Sequence, residues 1–128
     1  MDKSIIGKIG EDFCEKYYIK TGYEIISRNY HSRFGEIDLI AKKDNTLIFV
    51  EVKTRGEKSV SSPSASVTKA KQKKLILTSM QFVEQYNLSL NCQFDVFEVW
   101  QNEGRIYKFN RIESAFEAED FSGRYDIY

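Results

Sequence analysis

The stretch GEIDLIAKKDNTLIFVEVK, residues 35–53, decides the fold. It reads as two strands joined by a tight turn, with Glu36, Asp38, Glu51 and Lys53 set among apolar residues. Asp44-Asn45 suits a two-residue hairpin turn, because both side chains tolerate positive φ. With that turn Lys43 faces Thr46, and every facing pair of residue numbers sums to 89. Asp38 then lies opposite Glu51, Glu36 opposite Lys53 and Ile37 opposite Val52, while Leu39 faces Val50 and Ile40 faces Phe49. Side chains alternate along a strand, so Glu36, Asp38, Glu51 and Lys53 are expected on one face. A loop longer by one residue would put Asp38 and Glu51 on opposite faces.

Two facing carboxylates repel, and burial worsens the repulsion. Protonation of one acid relieves it. So does pairing with Lys53 and other cations, or a divalent metal between the acids. Oxygen ligands without His or Cys nearby suit Mg2+ or Mn2+. Mg2+ usually takes one or two protein carboxylates and keeps waters, which fits a phosphate-handling site. A solvent-facing ribbon with a Glu36–Lys53 cross-strand pair accounts for the same pattern. Ile40 and Phe49 continue that face and argue for partial burial. The hairpin residues alone leave both readings open.

Outward from the hairpin, residues 4–21 read as a helix, with Ser4 as N-cap, Ile6, Ile9, Phe13 and Tyr17 at helical spacing, and Gly22 as a stop. Residues 23–31 read as a strand. Residues 56–66, GEKSVSSPSAS, hold the only proline and read as a flexible loop. A second helix is expected over 67–86, its apolar face made by Leu75, Ile76, Met80, Phe82, Val83 and Tyr86. CQFDVFEVW (92–100) and RIYKFNRI (105–112) read as strands, and 113–121 as a short final helix. Strands joined by short turns pair antiparallel, whereas a strand–helix–strand passage gives a parallel neighbour. The expected fold is therefore α/β: a mixed central sheet flanked by helices, in the order helix, three-strand meander, helix, two strands.

With 128 residues, 41% hydrophobic and 30% charged, the chain is expected to be a single soluble domain able to bury a core. It has no apolar run that would span a bilayer, and MDKSIIGKIGEDF lacks the apolar segment of a signal peptide, so a cytoplasmic location is expected. Cys14 and Cys92 are far apart and read as two buried thiols in a reducing compartment. With His31 as the one histidine, a zinc site is not expected. Net charge is zero, which argues against bulk attraction to nucleic acid. The charge is unevenly placed, however. Residues 53–74 hold seven cations and one anion, and residues 113–128 hold five acids and one arginine. A basic block thus follows the hairpin, and an acidic C-terminal segment offsets it.

An acid on one strand followed by Glu51-Val52-Lys53 on the next resembles the PD-(D/E)XK nuclease superfamily. A longer match runs through GEDFCEKYYIKTGYEII, RNYHSRFGEIDLIA, LIFVEVKTR, VTKAKQKKL and FDVFEV. Together these resemble the YraN family of small proteins, related to restriction-endonuclease-like and Holliday-junction-resolvase-like folds. The resemblance covers the chain to about residue 112.

The resemblance implies metal-assisted hydrolysis of phosphodiester bonds in nucleic acid, with structure-specific cleavage of branched DNA as one form of it, and leaves open DNA or RNA, branched or linear. It casts Asp38 and Glu51 as acids that hold Mg2+ or Mn2+, with the Val52 backbone carbonyl as a third ligand. Lys53 resembles the lysine that orients the attacking water or steadies the pentacovalent phosphate. Glu11 resembles a helix glutamate that reaches the metal or its waters. Gln72 resembles a polar helix residue added to the site, and a solvent-facing glutamine fits its position nearly as well. Arg55, Lys69, Lys71, Lys73 and Lys74 would hold flanking phosphates together with Gln72. Glu36 matches the family pattern without a fixed role, Ile37 replaces a usual proline, and His31 reads as a surface residue. Resolvase-like enzymes cut symmetric junctions in pairs, which makes a homodimer an expectation. A non-catalytic nucleic-acid-binding or scaffold module on the same fold is the competing reading.

Overall fold

The computed structural model describes residues 1–56 and 67–118. The serine loop beyond Gly56 and the end of the acidic segment lie outside these described residues. The elements are α1 (Lys3–Lys20), β1 (Glu24–Ser32), β2 (Gly35–Lys43), β3 (Thr46–Arg55), α2 (Lys69–Gln85), β4 (Asn91–Asn102) and β5 (Arg105–Phe116). They form one five-stranded sheet in the order β1-β2-β3-β4-β5. The β1–β2, β2–β3 and β4–β5 pairs are antiparallel, and β3–β4, joined through α2, is parallel. This is the mixed sheet expected from the element order. No helix among the described residues is long and apolar enough to cross a membrane.

The helices cover opposite faces. Cys14 and Tyr18 of α1 pack on Leu39, Ala41, Val50 and Phe97. Leu75, Ile76 and Phe82 of α2 pack on Ile40, Phe49 and Val96. Phe49 and Phe94 stack at 5.6 Å on the α2 face, and Phe82 meets Phe49 edge-on. Tyr86, expected on the apolar face of α2, is instead exposed at the helix end.

The caps set the helix starts. Asp2 caps α1 in place of Ser4, its carboxylate accepting the Ser4 N–H at 2.7 Å. Thr68 caps α2 by accepting the Lys71 N–H at 3.1 Å. Gly22, at φ 97°, takes the left-handed conformation that ends α1. The expected final helix is not formed over 113–116. Those residues extend β5, with Ser114 at φ 49° and a register shift opposite Phe94–Val96. Both cysteines are free thiols, and Cys92 is exposed where a buried thiol was expected.

A buried polar network ties α1 to the far strands. The Tyr18 hydroxyl donates to Asp95 at 2.6 Å, and Arg111 Nε donates to the same carboxylate oxygen at 3.0 Å. Gln93 Nε2 and the Ser114 N–H donate to its other oxygen. Burial, then the Asp95 charge, pushes the Tyr18 hydroxyl well above its ordinary range, so it stays a donor.

Midway along α1, Gly10 lies against the hydroxyl of Thr54 on β3, where a methyl group has no room. Gly10→Ala is expected to cost roughly 1–3 kcal/mol by overpacking, despite the better helix propensity of alanine. Urea denaturation checks this. An unchanged or higher midpoint would show that Thr54 yields freely.

Candidate active site

The hairpin register holds for five pairs, Lys43–Thr46 to Leu39–Val50, each summing to 89 as expected. Asp44 sits at φ 53°, as the two-residue turn requires. The ladder then stops, so the expected Asp38–Glu51, Ile37–Val52 and Glu36–Lys53 pairs are not formed.

The cause lies in the backbone of β1 and β2. Strict alternation would put Ile37 and Leu39 on the same side, yet Ile37 packs in the α2 core and Leu39 in the α1 core. On β1, Arg28 reaches the acids of α1 while Tyr30, two residues on, packs against Phe82 of α2. Asn29, between them, stands at φ 52°. Both strands therefore change face at one level, opposite each other. That break turns Asp38 away from the face predicted for it.

Beyond Leu39–Val50 the Asp38 carboxylate replaces the missing ladder acceptor. Its Oδ2 accepts the Val52 N–H at 2.8 Å. Within a strand, one residue's N–H and C=O point to the same edge, so the Val52 carbonyl opens toward the Asp38 side. Asp38, Glu51, Val52 and Thr54 line a cavity of about 400 Å³ with Lys3, Ile6, Gly7 and Glu11 of α1. Asp38 and Glu51 thus meet in the gap between diverging strands and not across a regular ladder.

The electrostatics follow from this placement. Burial, and next the charge of Glu51, pushes the Asp38 carboxyl up to about 7, with smaller contributions from Glu11 and Glu36. The Val52 N–H opposes that rise. Burial also raises Glu51, against Lys71 and Lys53, which favour its charged form. By register Glu51, Lys53 and Arg55 share the α2-facing side of β3 with Val96, Glu98 and Trp100.

The other predicted residues divide. Lys71 reaches the site, with its Nζ 3.6 Å from Glu51 Oε1. Glu11 lines the cavity, but its carboxylate is also 3.3 Å from Arg28. Arg55 donates through Nε to Glu98 at 2.9 Å, and Glu98 is fully buried, so this arginine first neutralises an interior acid. Gln72 is buried and not solvent-facing. Its Nε2 donates to the Val67 carbonyl, while its Oε1 is buried without a partner among the described residues. Lys69 and Lys74 are exposed on α2 and Lys73 is half-buried. Glu36 is exposed and lies 3.3 Å from His31 across β1–β2, not opposite Lys53.

Arg28 was not singled out in the sequence. It gathers Asp12 at 2.7 Å, Glu11 at 3.3 Å and Glu15 at 3.5 Å, and so fixes the acidic side of α1 over the sheet. The spacing of Glu11 and Glu15 on one helix face was the available signal, but their partner comes from a distant strand.

The donor set of the cavity fits a hard cation. It offers two carboxylates that disfavour each other's charge and one carbonyl, all oxygen. Among the described residues no three His, Cys, Asp or Glu side chains converge at metal-ligand distance. Such a set suits an ion that retains water, as Mg2+ does, more than a fully protein-caged one.

These features define a small mixed α/β domain with a paired-acid cleft where its first hairpin opens. The chain belongs to the Uncharacterised protein family UPF0102, whose model matches residues 10–99. That is the YraN family which the motifs resemble. The matched span takes in Glu11, Asp38, Glu51, Lys53 and all of α2. A UPF0102 protein of Sulfurihydrogenibium sp. (strain YO3AOP1) is 40% identical over 120 residues, covering 93% of this chain and 100% of that protein. Another, from Caldicellulosiruptor saccharolyticus, is 40% identical over 119 residues, covering 91% and 100%. One from Methylobacillus flagellatus is 43% identical over 113 residues, covering 88% and 97%.

Proposed function

We propose that this protein is a divalent-metal-dependent phosphodiesterase that cuts nucleic acid internally. The observation that carries this reading is the meeting of Asp38 and Glu51 in one cleft where the β2–β3 ladder ends. Paired carboxylates, Glu51 buried and Asp38 partly so, with raised proton affinity are costly to a fold and suit a cation site. Asp38, Glu51 and the Val52 carbonyl would hold Mg2+ or Mn2+, and Glu11, which lines the same cavity, would take part through the ion's waters. The cation, when bound, supplies positive charge for the acids and for an incoming phosphate. Lys53, close enough to favour the charged form of Glu51, stabilises negative charge developing on phosphate. Arg28 keeps Glu11 oriented. Lys69, Lys73 and Lys74 of α2, with Arg55 at the end of β3, add cationic charge on the side from which flanking phosphates would approach.

DNA is the proposed substrate, with branched structures foremost, and a homodimer is the proposed working unit. The test is a panel of linear and branched DNA and RNA with Mg2+ or Mn2+. Asp38→Ala and Lys53→Ala, both folded by circular dichroism, are each expected to lower cleavage on the order of 10²-fold or more. Cleavage that survives both changes contradicts the reading. DNA binding indifferent to metal and to Asp38→Asn, without turnover on any substrate, would favour the non-catalytic module.

A further inference from the structure

We infer that Lys71 is a built-in counter-ion of the cleft, holding Glu51 in the metal-free protein and giving it up when a divalent cation enters. This rests on the proposed metal site. In the sequence Lys71 is one of several α2 lysines with nothing to separate it from Lys69, Lys73 or Lys74. In the structure its Nζ lies 3.6 Å from Glu51 Oε1.

The two partners are unequally placed. The Glu51 side chain is 9% exposed, whereas that of Lys71 is 44% exposed. The carboxylate is fixed by the sheet and has already lost most of its water. The ammonium sits on a flexible stem in the first turn of α2 and can return to solvent. A nearly buried carboxylate gains much from a neighbouring cation, while a half-exposed ammonium loses little on leaving. The pair is thus built to exchange its cation. Lys71 also stands at the start of α2, where Thr68 caps the helix, so it can swing without breaking the core contacts of Leu75 and Ile76.

The other groups around Glu51 do not fill this role. Lys53 is on the same strand and favours the charged form of Glu51 without a close ion pair among the described contacts. Arg55 is engaged by Glu98. Lys71 therefore competes with the cation for one of the two acids and lowers the metal affinity of the free protein.

The experiment is titration calorimetry of Mn2+ into the whole protein at pH 8.5, for wild type, Lys71→Met and Lys71→Arg. Lys71→Met is expected to bind Mn2+ more tightly, on the order of 3- to 10-fold, because the competing ion pair is gone. Lys71→Arg, which keeps the charge and pairs with a carboxylate at least as well, is expected to bind Mn2+ no more tightly than wild type. Thermal melts establish that each variant is folded. If Lys71→Met binds Mn2+ with unchanged or weaker affinity, Lys71 is not a displaced counter-ion and the inference is overturned. If the wild type itself binds no Mn2+, the proposed metal site fails and this inference fails with it, a result distinct from the first.

Discussion

Asp38→Asn is expected to stabilise the metal-free protein at pH 8 by about 1–3 kcal/mol and to abolish its stabilisation by Mn2+. The sign follows from the carboxyl's environment. An unfolded chain releases the Asp38 proton near 3.8, whereas burial and Glu51 hold it in the folded protein to about 7. The folded-state advantage is fully present below about pH 4 and is lost as pH rises through 7. At pH 8 the folded protein carries an unfavourable charge, with a ceiling of about 4 kcal/mol. Asparagine removes that charge and retains an oxygen to accept the Val52 N–H. Wild-type stability without metal should therefore fall between pH 4 and 8. A cation at about 100 times its Kd should return about 2.7 kcal/mol at pH 8 and much less at pH 5. Thermal melts with Mn2+ or EDTA, at both pH values, read all of this. A metal-free Asp38→Asn protein less stable than wild type at pH 8 would mean that the fold depends on the Asp38 charge.

The second large effect concerns the frame that carries the site. Asp95→Ala is expected to cost about 3–5 kcal/mol. The change strands the Arg111 guanidinium, whose side chain is 10% exposed, and removes the acceptor of a fully buried tyrosine hydroxyl. Arg111 keeps Glu113 at 2.9 Å, but that carboxylate is 63% exposed and screened. The Tyr18 ring stays packed, T-shaped against Tyr23 and with Arg111 over its face. The loss is therefore chiefly polar, with a small void where the buried carboxylate stood. Against a total stability of about 5–15 kcal/mol this is a large fraction. Equilibrium urea unfolding measures it. Tyr18→Phe, which removes one donor and leaves the ion pair, should cost only about 1–2 kcal/mol. Equal costs for the two variants would show that the Asp95–Arg111 pair contributes little.

The sheet was legible because its signals are local. Asp44-Asn45 fixes the turn, the turn fixes the register, and the register held as far as Leu39–Val50. The helix between β3 and β4 required a parallel pairing, and the sheet has one. The site was legible in composition and not in geometry. Alternation placed Asp38, Glu51, Glu36 and Lys53 on one face, but alternation assumes an unbroken strand. The left-handed Asn29 and the face change at Asp38 violate it together, and no local rule marks an asparagine inside RNY as a break. Contacts between elements were beyond the sequence for the same reason. Nothing along the chain distinguishes Lys71, which meets Glu51, from Arg55, which is drawn to a buried Glu98. Nor does it show that Arg28 will gather three acids of α1. Residues 113–116 are strand and not helix because Asp95 engages the Ser114 N–H and holds that segment to β4.

The most direct test of the central claim, that Asp38 and Glu51 form a divalent-cation site, is calorimetric titration of Mn2+ at pH 8 into wild type and Asp38→Asn. It needs no knowledge of the substrate. The account predicts saturable binding at one or two sites in the wild type and none in Asp38→Asn. No binding in the wild type, or equal binding in both proteins, would contradict it and leave the two acids as a ribbon paired by lysine.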